Sequence, residues 1–296
     1  MPFILSLKKT DTDPEAVILL EQKRQKRIAV INDFSGFGRC SLTVSLPVIS
    51  AEGIQCCALP TAVFSNHTGY EDYFFDDYTD KMKYYYSKWE KLGLEFDGIY
   101  TGFLGSERQV DIVADFIRRF CSDNTKVIVD PVMGDDGRTY ATLTPGLCKS
   151  LSRLIRHSDI ITPNLTEACI LTGTPYSEKL ADIGALTELA ERLSALGSKN
   201  IVITGITRGN NICNFIYESD GSFRLIEKPM SGSRRAGTGD VFASVIAADT
   251  VRGVPFAESV RRAADFVSKA ITASDELNVP EQDGLCFELF LGDLIP

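Results

Sequence analysis

Short runs of glycine and polar residues carry whatever chemistry this 296-residue chain performs. Gly237-Thr238-Gly239-Asp240 precedes the apolar run Val241-Phe-Ala-Ser-Val-Ile-Ala-Ala248. Two glycines let backbone approach a ligand closely, and the helix start that follows offers unpaired N–H groups at the positive end of a dipole. Such a turn binds an anion such as a phosphoryl group in transfer, and Asp240 beside it can take a proton from an attacking alcohol. A plain glycine cap, with Asp240 favouring the dipole, fits the same residues. Asp130-Pro-Val-Met-Gly134 follows an apolar stretch, a placement suited to Mg²⁺, which takes few carboxylates plus phosphate and water oxygens. A capped Asp-Pro turn is the alternative. In Pro163-Asn164-Leu-Thr-Glu167, Asn164 and Glu167 share a helix face and can order a metal's water shell, close a capping box, or do both. Thr61-Ala-Val-Phe-Ser-Asn-His-Thr-Gly69 is a polar stretch in which His67 either hydrogen-bonds a ligand or serves the structure. Arg234 and Arg235, just before the glycine motif, reach nucleotide phosphates or form an exposed basic pair.

These residues need a scaffold, and the hydrophobic pattern supplies one. Apolar runs predict strands over 27–31, 55–61, 98–101, 126–130, 159–162 and 200–204. Helical periodicity covers 41–51, 81–92, 106–120, 144–156, 166–171, 183–196, 238–251 and 256–273. A hairpin over 211–217 and 223–228 is split by Asp220-Gly221. Strands alternating with helices make an α/β fold, a mostly parallel central sheet with helices on both faces. Ligands gather beyond the carboxyl ends of such strands. There stand Asn32-Asp33, Thr61, Thr101-Gly102, Asp130, Asn164 with Glu167, and Thr204-Gly205. Residues 1–27 read as a leader, frayed or a short surface helix, before one domain over 28–296.

Composition narrows the function. Forty acidic against 31 basic residues give a formal charge of −9, a poor match for nucleic acid, whose affinity comes from neutralised phosphates. Mean hydropathy is −0.01 and no apolar run reaches the roughly 20 residues of a membrane span. The eight cysteines show no CxxC pairing and only two histidines are present, which speaks against structural zinc and for a reducing, cytoplasmic setting. The first residues lack the basic start and the cleavage site of a secretory signal. No P-loop, G-x-S-x-G elbow or protein-kinase set occurs, and 32–38 lacks a full dinucleotide fingerprint.

Taken in order, the motifs resemble the ribokinase-like superfamily, and within it the vitamin B6 kinases, over about 28–273. Phe64-Ser-Asn-His-Thr-Gly-Tyr70 is the most specific stretch, joined by Thr101-Gly-Phe-Leu-Gly105, Asp130-Pro-Val-Met-Gly134, Asn164-Leu-Thr-Glu167 and Gly237-Thr-Gly-Asp240. The resemblance implies ATP-dependent phosphorylation of the 5′-hydroxymethyl group of pyridoxal, pyridoxine or pyridoxamine. It implies Asp240 as general base, and Gly237, Thr238 and Gly239 as the anion hole. Asp130, Asn164, Glu167, Thr204 and Arg235 fall on the ATP side, with Asp130 and Glu167 toward Mg²⁺. Asp33, Thr61, His67 and Phe103 fall on the substrate side, and 135–140 forms a flap over ATP. Asp33 stands where the family often has Ser, and Phe103 where a Tyr is common; Asp33 is expected either to pair with a protonated pyridine nitrogen or to bind a different ring. A homodimer is implied as well. The competing expectations are a hydroxymethylpyrimidine kinase of the same fold and a non-catalytic vitamer-binding protein.

Overall fold

The computed structural model describes residues 24–140 and 144–296. Most of the expected leader over 1–27 therefore lies outside the described residues, and the first strand begins at Arg27. The strands are β1 (Arg27–Ser35), β2 (Gln55–Phe64), β3 (Phe75–Asp77), β4 (Gly98–Thr101), β5 (Lys126–Val129), β6 (Gly134–Asp135), β7 (Arg138–Thr139), β8 (Ile160–Ile161), β9 (Asn200–Arg208), β10 (Asn211–Tyr217) and β11 (Phe223–Pro229). The α-helices are α1 (Leu42–Ala51), α2 (Thr79–Lys91), α3 (Glu107–Phe120), α4 (Pro145–Ile155), α5 (Leu165–Thr172), α6 (Ile183–Ala195), α7 (Thr238–Arg252) and α8 (Phe256–Glu276).

One sheet runs in the order β11-β10-β9-β8-β5-β4-β1-β2-β3. From β9 to β2 every pairing is parallel, and antiparallel strands close both edges. Alternate residues of a strand face opposite sides. Ile28 and Val30 of β1 therefore pack with α1, α7 and α8, while Ala29 and Ile31 pack with α2 to α6. Helix α7 is buried from Val241 to Asp249 without a break, because it is clasped between α1 and α8 against the sheet. No helix among the described residues is long and apolar enough to cross a membrane.

The expected architecture holds, with extensions. Strand β1 continues to Ser35, through the start of the turn expected from Asn32, β2 to Phe64 and β9 to Arg208. Strands β3, β6 and β7 had no counterpart in the sequence reading, since two or three polar residues carry no period.

The sheet's topology places the site. Strand β1 leaves into α1 on one face, whereas its neighbour β4 leads to α3 on the other. Divergence of adjacent exits opens a crevice at the carboxyl ends.

Candidate active site

Helix α7 begins at that crevice. Its N-cap, Gly237, has φ 72°, and a Cβ there would sit 1.9 Å from the Arg39 carbonyl oxygen. Only glycine fits, on both conformational and steric grounds. The Thr238 hydroxyl donates to the Arg235 carbonyl at 2.8 Å. Amides of the first turn have no acceptor inside the helix, so those of Thr238, Gly239 and Asp240 are available to an anion. Asp240 follows in the same turn, and its Oδ1 accepts from Asn32 Nδ2 at 3.0 Å. Burial pushes its pKa up to about 6, with the nearby Asp33 charge adding, while a backbone hydrogen bond from Ser41 and the Asn32 amide pull it back.

The sequence places Asn32 beside Asp33 at a strand end without giving it a role; the structure shows it joining β1, the end of β4 and the start of α7. Its Oδ1 accepts from the Phe103 amide at 2.8 Å and from the Asp33 amide at 3.0 Å. It lies so close to Gly102 that a Cβ there would come within 2.4 Å of the carboxamide. An amide at the end of a buried strand, opposite a glycine at the end of the next, was the available signal.

Asp33 serves the same corner. Its carboxylate accepts from the Ser41 hydroxyl at 2.6 Å and the Ser35 hydroxyl at 2.9 Å. Burial holds its pKa above the usual range against those bonds. These contacts brace a strained turn, in which Gly38, Arg39 and Ser41 have φ of 106°, 44° and 55°. Left-handed conformations cost a side-chain-bearing residue about 1 kcal/mol or more each. The turn's return is position: it presents the Arg39 carbonyl to Gly237 and the Ser41 amide to Asp240.

Across the cavity stands a second acidic pair. Asp130 is 8% exposed, and Oδ1 accepts from the Thr162 hydroxyl at 2.9 Å. Burial and then the charge of Asp240 raise its pKa to about 7. Glu167 closes a capping box with Asn164, its Oε2 accepting from the Asn164 amide at 2.9 Å and Oε1 from the Met133 amide at 3.0 Å. Burial, then Asp130, still holds Glu167 well above its ordinary value. Asn164 pairs with Thr204 across a parallel bridge, which brings the end of β8 and the middle of β9 to the same opening.

These groups line one cavity of about 630 Å³, which reaches from Asp33 and Phe103 past Asp240 to Asp130, Glu167 and Thr204. Three expected site residues are otherwise employed. Thr61 is fully buried outside the cavity lining, its hydroxyl donating to the Phe103 carbonyl at 3.1 Å. His67 borders the cavity, but Nδ1 accepts from the Gly69 amide at 3.0 Å, so its proton is on Nε2, which meets the Gln282 carbonyl at 2.7 Å. One ring nitrogen thus closes its own loop, and the other fastens that loop to the C-terminal segment. Arg235 is 3% exposed and pairs with Asp275 at 2.5 Å, donating also to the Val279 carbonyl at 2.8 Å. It supports the turn before α7 and is not free to meet a phosphate. Among the described residues no group of three or more His, Cys, Asp or Glu side chains is arranged to enclose a metal by itself.

Comparison with known proteins fits this geometry. The family model described as phosphomethylpyrimidine kinase matches residues 49–285. A hydroxymethylpyrimidine/phosphomethylpyrimidine kinase of Rhizobium meliloti is 26% identical over 83% of this chain and 91% of its own. A crystal structure of a candidate phosphomethylpyrimidine kinase from Bacteroides thetaiotaomicron, in a form with pyridoxal, superposes with a TM-score of 0.87 at 38% identity over 92% of this chain and 96% of that one. The pyridoxal kinase of Lactobacillus plantarum gives 0.84 at 28% identity, over 91% and 96%.

Proposed function

The chain belongs to the phosphomethylpyrimidine kinase family, and on that premise we propose that it phosphorylates the 5′-hydroxymethyl group of a vitamin B6 vitamer with ATP. The observation that carries the reading is Asp240, held by Asn32 and Ser41 beside the open amides at the start of α7. Asp240 takes the proton of the hydroxymethyl group as its oxygen attacks the γ-phosphorus. The bond from that phosphorus to the β–γ bridging oxygen breaks, and ADP departs with the bridging oxygen. The amides of Thr238, Gly239 and Asp240 receive the charge on the transferred oxygens, a preorganised stabilisation that needs no movement during reaction.

Residues on the far side suit Mg²⁺. Asp130 keeps Oδ2 without a hydrogen-bond donor among the described residues, and magnesium takes few carboxylates with phosphate and water oxygens. Asp130 would hold the ion directly, and Glu167, whose oxygens already accept amides, through water. Bound there, Mg²⁺ supplies neutralisation of the phosphate chain. Asn164 and Thr204 lie beside the nucleotide in this reading, and Asp33 and Phe103 beside the vitamer ring.

The B6 assignment is supported by the relative crystallised with pyridoxal and by the run Phe64-Ser-Asn-His-Thr-Gly-Tyr70. A second reading, hydroxymethylpyrimidine as acceptor, is favoured by the family description and by the relative from Rhizobium meliloti. ATP consumption with pyridoxal, pyridoxine, pyridoxamine and hydroxymethylpyrimidine in parallel separates them: turnover of any B6 vitamer at least tenfold above the pyrimidine is expected, and turnover of the pyrimidine alone would replace the substrate. Exposed Tyr73, Phe74 and Phe75 on and before edge strand β3 support pairing with a second copy. The free state of all eight cysteines supports a cytoplasmic setting.

A further inference from the structure

Nucleotide must enter a strongly acidic cavity. Asp33, Asp130, Asp135, Glu167 and Asp240 line it, so a polyanionic phosphate chain needs a cation from the protein as well as from the metal. The lysine and arginine side chains lining the cavity are Lys228, Arg234 and Arg235, and all are paired. They differ in what release would cost. Arg235 is buried and fixed by Asp275 and several carbonyls. Lys228 holds Asp265 with both side chains about one-third exposed. Arg234 reaches Asp136, and Asp135 at 3.7 Å, with all three side chains 55–58% exposed. An ion pair so open to water is worth little, so Arg234 is the one that turns most cheaply.

Its position gives that turn a consequence. Asp135 and Asp136 belong to the tight β6–β7 hairpin, whereas Arg234 lies on the strand-to-helix segment that ends in the glycine motif. The pair therefore joins two rims of the same opening. We infer that Arg234 is a phosphate-binding residue held in reserve: without nucleotide it bridges the opening to Asp136, and with nucleotide it exchanges that carboxylate for the phosphate chain and frees the hairpin. Guanidinium matches phosphate as well as carboxylate, through paired N–H donors. The inference rests on the reading of the cavity as a nucleotide site, and it reassigns to Arg234 the role expected of Arg235.

The test measures ADP affinity and steady-state constants for the full chain carrying R234A, R234K, D136N and the R234A/D136N pair. Asp136 has φ 50°, which asparagine adopts readily, so D136N removes charge and keeps the turn. R234A is expected to raise KM for ATP and Kd for ADP about tenfold or more, the loss of charge-assisted bonds. KM for the alcohol and Tm stay where they are, and R234K recovers part of the affinity. D136N is expected to lower KM for ATP, because the competing carboxylate is gone, and that gain is expected to vanish in the double variant. Unchanged ADP affinity in R234A, with the wild type binding, overturns this inference alone. A rise in KM with D136N as large as with R234A overturns it too, since the pair itself would then be what binding needs. No nucleotide binding by the wild type overturns the inference together with the reading of the cavity.

Discussion

Helix α7 carries a carboxylate near each end, Asp240 half-buried and Asp249 fully buried, and their neighbourhoods differ. Asp240 and Asp249 are nine residues apart, about 14 Å along the axis. At the start, Asp240 shares its cavity with Asp33, Asp130 and Glu167, and among the described residues no lysine or arginine forms an ion pair with any of them. At the far end, Asp249 lies with Glu52, the C-cap of α1, and both are contacted by Arg252 from α7 and Arg262 from α8. Burial raises the pKa of carboxyls in both clusters, Asp130 and Glu52 to about 7. The arginine-bracketed cluster ties α1, α7 and α8 together and draws its cations from within the chain, though Glu52 Oε1 and Asp249 Oδ2 stay without a hydrogen-bond partner among the described residues. The other is left with repulsion that only a cation from outside can relieve. Burial costs stability at both poles, but arginines offset the charge at the far one and, among the described residues, none does at the pole that borders the cavity.

Metal removal separates the poles most sharply. Chelation with EDTA is expected to abolish phosphoryl transfer and leave Tm of the nucleotide-free protein unchanged, with full recovery on added Mg²⁺. A fall in Tm instead would mean that the cavity cluster is completed by a resident ion. Arg262→Ala is expected to do the reverse: it leaves two buried carboxylates short of a cation and lowers unfolding free energy by about 2 kcal/mol, with discount for the arginine's partial exposure. Denaturant titration measures the loss, while KM and kcat remain those of the parent. The smallest effect is in pH. Glu52 has a folded pKa above its unfolded one, so its contribution is present below about pH 4.5 and lost as pH rises through about 7. Glu52→Gln should flatten that part of the Tm–pH curve; an unchanged slope would place the titration elsewhere.

Much of this was legible in the residues. Buried parallel strands are continuous apolar runs, which is why β4 and β5 could be bounded closely, and amphipathic helices such as α3 announce their period. The chemistry-bearing stretches converge because strand carboxyl ends converge. Glu167 both caps a helix and lines the cavity, as the spacing from Asn164 allowed. What stayed hidden depends on partners far along the chain. Which of two adjacent arginines turns inward is decided by Asp275, 40 residues beyond Arg235. His67 is claimed by Gln282, 215 residues away, and Thr61 is turned from the cavity by the Phe103 carbonyl. Asn32 was placed at a strand end but given no role, because its importance lies in what three separate segments bring to it.

Transfer from ATP·Mg²⁺ to pyridoxal, followed as pyridoxal 5′-phosphate by wild type and Asp240→Asn over pH 5–8, tests the central claim most directly. The account predicts product from the wild type, with kcat falling as pH drops through about 6 and Asp240 gains its proton. It predicts a loss of roughly 10²–10⁴ in kcat for Asp240→Asn at every pH, as removal of a general base does, with pyridoxal still bound. An Asp240→Asn enzyme that keeps the parent's kcat and the parent's pH profile would contradict it.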